Sequence, residues 1–294
     1  MRRVISTCTS GRRAPCLSEQ TAIPSGPRLS LGNRRHGCPD PARHAIHKDR
    51  HLKTKSERHV VNRLIDGLPP KERASVLGRC DVVELTFGDV IFEAGPAIHH
   101  AYFPLDGFIS LLTLLDDHQP LEMALIGNEG MVGITLTLGV STAPMRAIVQ
   151  GAGQALQMKA EDLKQLLIEC PIFKQALNRY LYVTMRQFPH IAACTHFHEI
   201  EPRLARWLLM THDRSSSDSF HLTHEFLAGM LGVRRSGITI AARALQLRKL
   251  IDYRRGEITI LNRKGLEKAS CTCYQTLIND YEKQFSSVRQ IVRH

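Results

Sequence analysis

Residues 222–261 read LTHEFLAGMLGVRRSGITIAARALQLRKLIDYRRGEITIL, two helical patterns followed by two strand patterns. Thr223 can cap the first helix because its hydroxyl accepts a backbone N–H. Gly232 tolerates the positive φ of a sharp turn, and apolar residues recur at helical spacing on both sides of it. The alternating runs at 250–253 and 258–261 are joined by a glycine-containing loop. The segment therefore predicts a helix-turn-helix followed by a two-stranded wing.

The second helix of this segment has a polar face that predicts DNA binding. Arginine can hold guanine O6 and N7 with two hydrogen bonds, and arginines in a wing can contact phosphate. Basic residues on a helix are also ordinary on a solvated face, so the prediction depends on the apolar positions and the arginines matching together. The candidate DNA-binding residues are Arg234, Arg235, Ser236, Thr239, Arg243, Arg254 and Arg255.

Length and charge set wider limits. A chain of 294 residues allows about two domains. The net charge is +11, but residues 1–60 carry +9 of it, so the overall basicity does not indicate nucleic-acid binding by the remainder. There is no apolar run long enough to cross a membrane, and a cytoplasmic protein is expected.

Residues 1–58 predict a disordered basic extension, since they are rich in Arg, His, Ser, Pro and Gly and lack apolar periodicity. The extension could be an arm that contacts phosphates. It could be a targeting peptide, although its prolines oppose an amphipathic helix. The interpretation that we favour is either a start codon placed too far upstream or an extension without function.

Residues 59–170 predict a β-domain of the antiparallel β-roll or jelly-roll type, preceded by two short helices and closed by another at 161–167. Turn residues separate seven apolar or alternating strands. The predicted strands are 82–87, 90–92, 101–103, 108–115, 121–126, 147–150 and 154–158. With the helices that follow, the fold class is α+β.

Residues 171–197 predict a long dimerisation helix. Its apolar positions recur at coiled-coil spacing, which favours pairing of two chains; the alternative is a single helix packed on its own β-domain. Pro189 is expected to kink this helix. Residues 198–265 then form the winged helix-turn-helix domain, and 266–294 a helical tail. The predicted seam comprises Leu177, Leu181, Thr184, Phe188 and Ile191.

The eight cysteines predict neither a metal site nor a bound cofactor. Cys271 and Cys273 have no second ligand pair at zinc-like spacing. Cys194, His196 and His198 alternate, and three alternate residues do not share a helix face. Buried thiols in a reducing cytoplasm are the expected state.

The order of these segments resembles the Crp/Fnr regulators. The resemblance covers residues 60–265 and is carried by GDVIFEAG (88–95), GNEGMVGI (127–134), RLARWLL (203–209) and LTHEFLAGMLGVRRSGITIAARAL (222–245). It implies that Arg235, Ser236 and Thr239 occupy base-reading positions. Ile240 stands where many relatives have a second arginine, so the preferred half-site is expected to differ from theirs.

The ligand pocket departs from the relatives that bind cyclic nucleotides. The resemblance implies a Gly-Glu pair for the ribose and, further on, an arginine for the phosphate, whereas this chain has Gly133, Ile134 and a displaced Arg146. An isoleucine cannot accept a hydrogen bond from a ribose hydroxyl, so cyclic AMP is not the expected effector. Cys8, Cys16 and Cys38 of the N-terminal extension do not have the spacing of iron–sulfur ligands. Haem has only His99 or His100 as weak candidate ligands.

The expected function is therefore a dimeric transcription regulator that reads a palindromic site. Its expected partners are double-stranded DNA, a second copy of the chain, an unidentified small-molecule effector and RNA polymerase. The alternative is a sensor module whose winged helix binds another protein. An enzyme is not expected, because the sequence has no nucleophile–base set and no phosphate-binding glycine loop.

Overall fold

The computed structural model describes residues 61–114, 120–215 and 217–285. The predicted extension at 1–58 lies outside these ranges. No helix within them combines the length and the apolar character that crossing a membrane requires.

Two antiparallel sheets form the N-terminal β-roll, and they confirm the predicted class. Two short helices come first, α1 (Arg63–Asp66) and α2 (Pro70–Leu77). The strands are β1 (Asp81–Leu85), β2 (Val90–Phe92), β3 (His100–Pro104), β4 (Phe108–Thr113), β5 (Leu121–Ile126), β6 (Arg146–Gly151) and β7 (Gly153–Lys159). They pair in the orders β1-β7-β3 and β2-β6-β4-β5. A 3-10 helix at Ile134–Leu138 is an addition that the sequence pattern did not predict.

Two helices connect the β-roll to the C-terminal part, α3 (Ala160–Glu169) and α4 (Pro171–Phe197). Proline suits the first position of α4 because the N–H that it lacks has no partner in a first helical turn. The helix continues through Pro189 to Phe197, although a proline removes one backbone hydrogen bond from the helix.

Three of the five predicted seam residues on α4 are buried against their own chain, and the other two are half-buried. Leu177 and Ile191 are 0% and 6% exposed, and Thr184 is buried with its hydroxyl bonded to the carbonyl one turn earlier. Leu181 and Phe188 pack at the edges of the β-roll cores. The apolar period of this face therefore reflects packing on the β-roll. The exposed side of α4 carries Tyr182, Met185, Pro189, Ala192 and His196.

The C-terminal part contains the predicted helix-turn-helix. Its elements are α5 (Ile200–Arg214), β8 (Ser219–His221), α6 (His224–Leu231), α7 (Arg235–Leu247), β9 (Ile251–Arg254), β10 (Glu257–Ile260), α8 (Arg263–Ala269) and α9 (Cys273–Phe285). The strands pair in the order β8-β10-β9. The wing sheet thus has three strands where two were predicted, because β8 pairs with the far edge of β10.

One hydrophobic core joins the four-stranded sheet to the helices of the C-terminal part. Phe108 and Leu125 of the sheet belong to the same buried cluster as Leu208 of α5 and Leu227 of α6. Because apolar burial is continuous across this boundary, the β-roll and the C-terminal helices stabilise one another.

Two polar contacts cross the same boundary. Trp207 Nε1 on α5 donates to Glu122 Oε1 on β5 at 2.9 Å, and Ser110 Oγ donates to the other carboxyl oxygen at 2.6 Å. Arg214 at the end of α5 donates to Glu129 Oε1 through Nε at 2.9 Å and through Nη2 at 2.5 Å. These contacts fix the direction of α5 relative to the sheet.

Candidate nucleic-acid interface

Local sequence chemistry sets the angle between α6 and α7. Thr223 Oγ1 accepts the backbone N–H of Phe226 at 3.1 Å, which confirms the predicted cap. Gly232 ends α6 with a φ of 60°, the left-handed conformation that glycine adopts without strain. Gly237 lets α7 approach α5, since a Cβ at this position would stand 2.6 Å from Ile200 Cδ1. The second helix is therefore held firmly by its buried side.

The polar face of α7 and the wing loop are open to solvent. All seven predicted DNA-binding residues are exposed. Arg234 is the N-cap residue of α7, so the arginines stand where the unpaired N–H groups of the first turn carry partial positive charge. The exposed residues are Arg234, Arg235, Ser236, Thr239, Arg243, Arg254 and Arg255.

The wing loop is a tight turn with two left-handed residues. Arg255 has a φ of 51° and Gly256 a φ of 85°, the combination that joins two strands through a two-residue loop. Arg254 Nε lies 3.2 Å from Asp252 Oδ2, so part of its charge is already balanced. Arg255 is the more available of the two for an anionic ligand.

His224 on α6 contacts both the wing and α7. The rings of His224 and Tyr253 stack with centroids 4.5 Å apart, and His224 Nδ1 lies 3.0 Å from Thr239 Oγ1. Tyr253 Oη donates to the carbonyl of Leu222 at 3.2 Å. Burial, followed by the charge of Arg235, lowers the pKa of His224, which favours the neutral ring.

The roles of His224 and Tyr253 were not predictable from the sequence pattern. The two residues lie 29 positions apart in the sequence, and only the packing of the wing against α6 brings their rings together. Their effect is to hold the Thr239 hydroxyl on the exposed face of α7.

Ile240 is 72% exposed on α7, one residue after Thr239. A branched apolar side chain in this position offers no hydrogen bond to a base edge. It can contact the methyl group of thymine, which is an apolar feature of the major groove.

The predicted ligand-pocket residues are engaged in other contacts. Gly133 has a φ of 88° and precedes the 3-10 helix, and Ile134 is 8% exposed within the apolar cluster that contains Leu163 of α3. Arg146 Nε lies 3.4 Å from Glu93 Oε1. Ile134 presents no polar group to a nucleotide ribose, and Arg146 faces the carboxylate of Glu93.

Comparison with protein families matches both halves of this architecture. Residues 202–269 match the family described as the Crp-like helix-turn-helix domain, and residues 82–170 match the cyclic nucleotide-binding domain. No curated protein matches the chain by sequence.

Solved structures share the fold at low sequence identity. FixK2 from Bradyrhizobium japonicum is 14% identical with a TM-score of 0.57, and the match covers 66% of this chain and 98% of FixK2. The c-di-GMP responsive global regulator CLP of Xanthomonas campestris is 17% identical with a TM-score of 0.53, covering 65% of this chain and 99% of CLP. TTHA1359, a Crp/Fnr-family transcriptional regulator of Thermus thermophilus, is 19% identical with a TM-score of 0.52, and the match covers 65% of this chain and 98% of TTHA1359. These similarities concern the fold.

Proposed function

We propose that the chain, which matches both domain models and shares the fold of Crp/Fnr regulators, is a dimeric regulator of that family that binds palindromic DNA through α7. The solved structures with this fold include transcriptional regulators of the Crp/Fnr family. The observation that carries the proposal is the pair of exposed arginines, Arg234 and Arg235, at the N-terminus of a helix whose other side is buried.

The exposed face has the chemistry of major-groove recognition. Arg235 can pair with guanine through two parallel hydrogen bonds, and Ser236 can reach a base edge or a phosphate. Thr239 is positioned by His224, and Ile240 supplies an apolar contact. Arg255 at the wing tip would contact phosphate beside the groove. Because this chain has Ile240 where many relatives have a second arginine, these side chains favour a half-site that differs from the one those relatives prefer.

Dimerisation through α4 would bring two such faces to one DNA site. The exposed side of α4 carries Tyr182 at 47% exposure and Met185 at 61%, together with Pro189 and Ala192. Their spacing of three and four residues forms a continuous apolar stripe, the arrangement that packs against a second helix. We infer that this stripe, and not the buried Leu177 face, pairs the two copies.

The pocket chemistry argues against cyclic AMP as the effector. A ribose hydroxyl placed beside the buried Ile134 side chain would lose its hydrogen bonds to water, at a cost of about 1–3 kcal/mol. Arg146 would have to leave Glu93 to meet the cyclic phosphate. We expect that titration calorimetry of the full chain with cyclic AMP gives no binding heat; a saturable heat would contradict this part of the proposal.

Selection of binding sites from random double-stranded DNA tests the function directly. The full chain, without added ligand, should recover a twofold-repeated site whose half-site centres are about one helical turn apart. The variant with Arg234→Glu and Arg235→Glu should recover none.

A matched control keeps the charge change constant. The variant with Lys71→Glu and Lys164→Glu alters two exposed lysines of α2 and α3, which flank the β-roll, and it should recover the wild-type site. Recovery of an unrepeated half-site would contradict dimeric recognition. Failure of the wild-type chain to enrich any sequence would favour the alternative that the winged helix binds a protein.

A further inference from the structure

Four metal-ligand side chains meet between the end of α4 and the start of α9. The ligand atoms of Cys194, His198, Cys271 and Cys273 all lie within 4.8 Å of one another. Cys194 Sγ is 3.6 Å from Cys271 Sγ, and Cys273 Sγ is 3.6 Å from His198 Nδ1. The three cysteines are buried, and the histidine is half-buried.

Local structure presents the ligands as two pairs. Cys194 and His198 are four residues apart at the end of α4, so they project from the same side. Cys271 and Cys273 flank the start of α9, and the N–H of Cys271 donates to the carbonyl of Pro202 at 3.3 Å. This bond holds the second pair against α5. The two pairs are distant in sequence, with 77 positions between Cys194 and Cys271, and the fold brings them together.

The spacing of the ligand atoms fits a single tetrahedral ion. Zn–S bonds of about 2.3 Å at tetrahedral angles place two sulfurs about 3.8 Å apart. The 3.6 Å between Cys194 Sγ and Cys271 Sγ is close to this value, and the shorter Zn–N bond brings a sulfur–nitrogen pair such as Cys273 Sγ and His198 Nδ1 slightly closer together. An iron–sulfur cluster distributes its protein ligands over two or four iron atoms, and ligands on different irons lie farther apart than ligands on one ion. A disulfide between Cys194 and Cys271 would use only two of the four groups.

The surroundings carry compensating charge. Three thiolates, a neutral imidazole and a dication sum to one negative charge, which is costly to bury alone. Arg203 and Arg206 of α5 are 4% and 6% exposed, and both guanidinium charges act on Cys194. The Nε atom of each is buried and has no hydrogen-bond partner among the described residues. Two buried cations beside three cysteines are what an anionic metal centre requires.

We propose that Cys194, His198, Cys271 and Cys273 bind one zinc-type dication through three thiolate sulfurs and the Nδ1 atom of the histidine. Each coordinated thiol gives up its proton to solvent as the metal–sulfur bond forms. The chain supplies all four ligands and leaves no coordination position for water, as in a structural zinc site.

The site lies at the junction between α4 and the helix-turn-helix. His198 directly follows α4, and α5 begins at Ile200. Arg203 Nη1 donates to the carbonyl of Thr195 at 3.4 Å, and its Nη2 donates to the carbonyl of Leu231, the last residue of α6. A bound ion would therefore fix α4 to α9 and, through Arg203, hold α6 in place.

Elemental analysis of the untagged full chain tests the proposal. The expected result is one zinc ion per chain, with an absorption spectrum typical of tetrahedral thiolate coordination after exchange into Co²⁺. Three of the eight cysteines should gain reactivity toward an alkylating reagent when a chelator removes the ion. Chelation should also lower the melting temperature.

Neighbouring residues provide matched controls. His198→Gln and Cys273→Ser should lose the ion, whereas His196→Gln and Cys80→Ser should keep it. His198→Cys should retain the ion with a Co²⁺ spectrum shifted toward four-sulfur coordination. The wild-type measurements remain decisive if a variant fails to fold. The proposal is overturned if the chain binds no dication, if bound Co²⁺ is octahedral, or if Cys194 and Cys271 are found as a disulfide.

Discussion

Arg235 combines a fixed backbone with an exposed side chain, and this combination makes its role testable. It is the first residue of α7, whose opposite side packs into the core through Ile238 and Leu245. Arg235→Ala should cost about 1–3 kcal/mol of DNA binding and relax selection at one base of each half-site. Binding to a panel of single-base operator variants measures both effects. Equal weakening for every sequence would show that Arg235 contacts phosphate.

Arg255 provides the contrasting prediction at the wing tip. Because it is expected to contact phosphate, Arg255→Ala should weaken binding to all sequences alike. The slope of log K against log salt concentration should fall by about one per DNA-bound chain. Titrations at several salt concentrations measure this slope, and altered base preference would contradict the assignment.

Glu122 makes the boundary between the β-roll and α5 sensitive to pH. Burial raises the pKa of its carboxyl from 4.5 to about 7, against the opposing effects of the Ser110 and Trp207 hydrogen bonds and the charges of Arg206 and Arg214. In the unfolded chain the group titrates near its ordinary value. The folded protein therefore holds a proton that the unfolded chain releases, and this stabilisation is lost as the pH rises through 7.

Glu122→Gln should remove this pH dependence, since the amide oxygen can accept from Trp207 Nε1 while the amide NH2 donates to the Ser110 hydroxyl, and neither group ionises. At pH 8 the variant should be more stable than the wild type, by up to about 3 kcal/mol, and the difference should vanish below pH 4.5. Thermal unfolding from pH 4 to 8.5 measures it. Glu84→Gln alters an exposed carboxylate, and its stability should depend on pH in the same way as that of the wild type. Parallel curves for Glu122→Gln as well would refute the assignment.

Single residues were predictable from sequence where their partners are local. Thr223 caps α6 and Gly232 ends it, and both roles can be predicted because the residues they act on lie within one helical turn. Glu122 lies 85 positions before Trp207, and Cys194 lies 77 before Cys271. Spacing rules cannot find such contacts, because they consider residues close in sequence. For this reason the cluster of three cysteines and one histidine escaped prediction, although all four residues are present in the sequence.

At the scale of elements, α4 shows what an apolar period leaves undetermined. Heptad-like spacing predicted a long helix, and the helix is present. The spacing could not distinguish a face that packs on the chain's own β-roll from one that meets a second copy, since both require the same period. Leu177 packs on the chain's own β-roll. The third wing strand was missed because β8 pairs with β10 across the whole helix-turn-helix, and no local turn signal joins the two.

The exposed stripe of α4 yields a prediction about assembly. Introducing charge with Tyr182→Glu and Met185→Glu should prevent two helices from packing and give monomers, since a buried unpaired carboxylate is strongly unfavourable. Sedimentation velocity measures the assembly state. Ile168→Glu changes a side chain that is 75% exposed on α3, and this variant should remain dimeric. Dimers that persist in the α4 variant would place the interface elsewhere.

At the scale of the whole molecule, the order of domains followed from sequence but their contact did not. Turn residues and periodicity separate the β-roll from the C-terminal helices. The continuous core around Phe108, Leu125 and Leu208 depends on which faces meet, and each face has an ordinary apolar pattern on its own. The structure therefore implies that the two parts unfold together.

The ion pair between Arg214 and Glu129 tests this cooperativity. Their side chains are 12% and 15% exposed, so Glu129→Leu would leave a nearly buried charge without its partner, at a cost of about 3–5 kcal/mol. Adding Arg214→Leu should restore part of the loss. Glu93→Leu breaks the more exposed pair with Arg146 and should cost no more than about 1 kcal/mol.

Urea unfolding with two probes distinguishes cooperative from separate unfolding. Trp207 is the only tryptophan and lies at the boundary, so its fluorescence reports this contact, while circular dichroism reports the whole chain. The two transitions should coincide in the wild type and move together to lower urea in Glu129→Leu. A fluorescence change that precedes the loss of secondary structure would show instead that the C-terminal helices detach from a β-roll that remains folded.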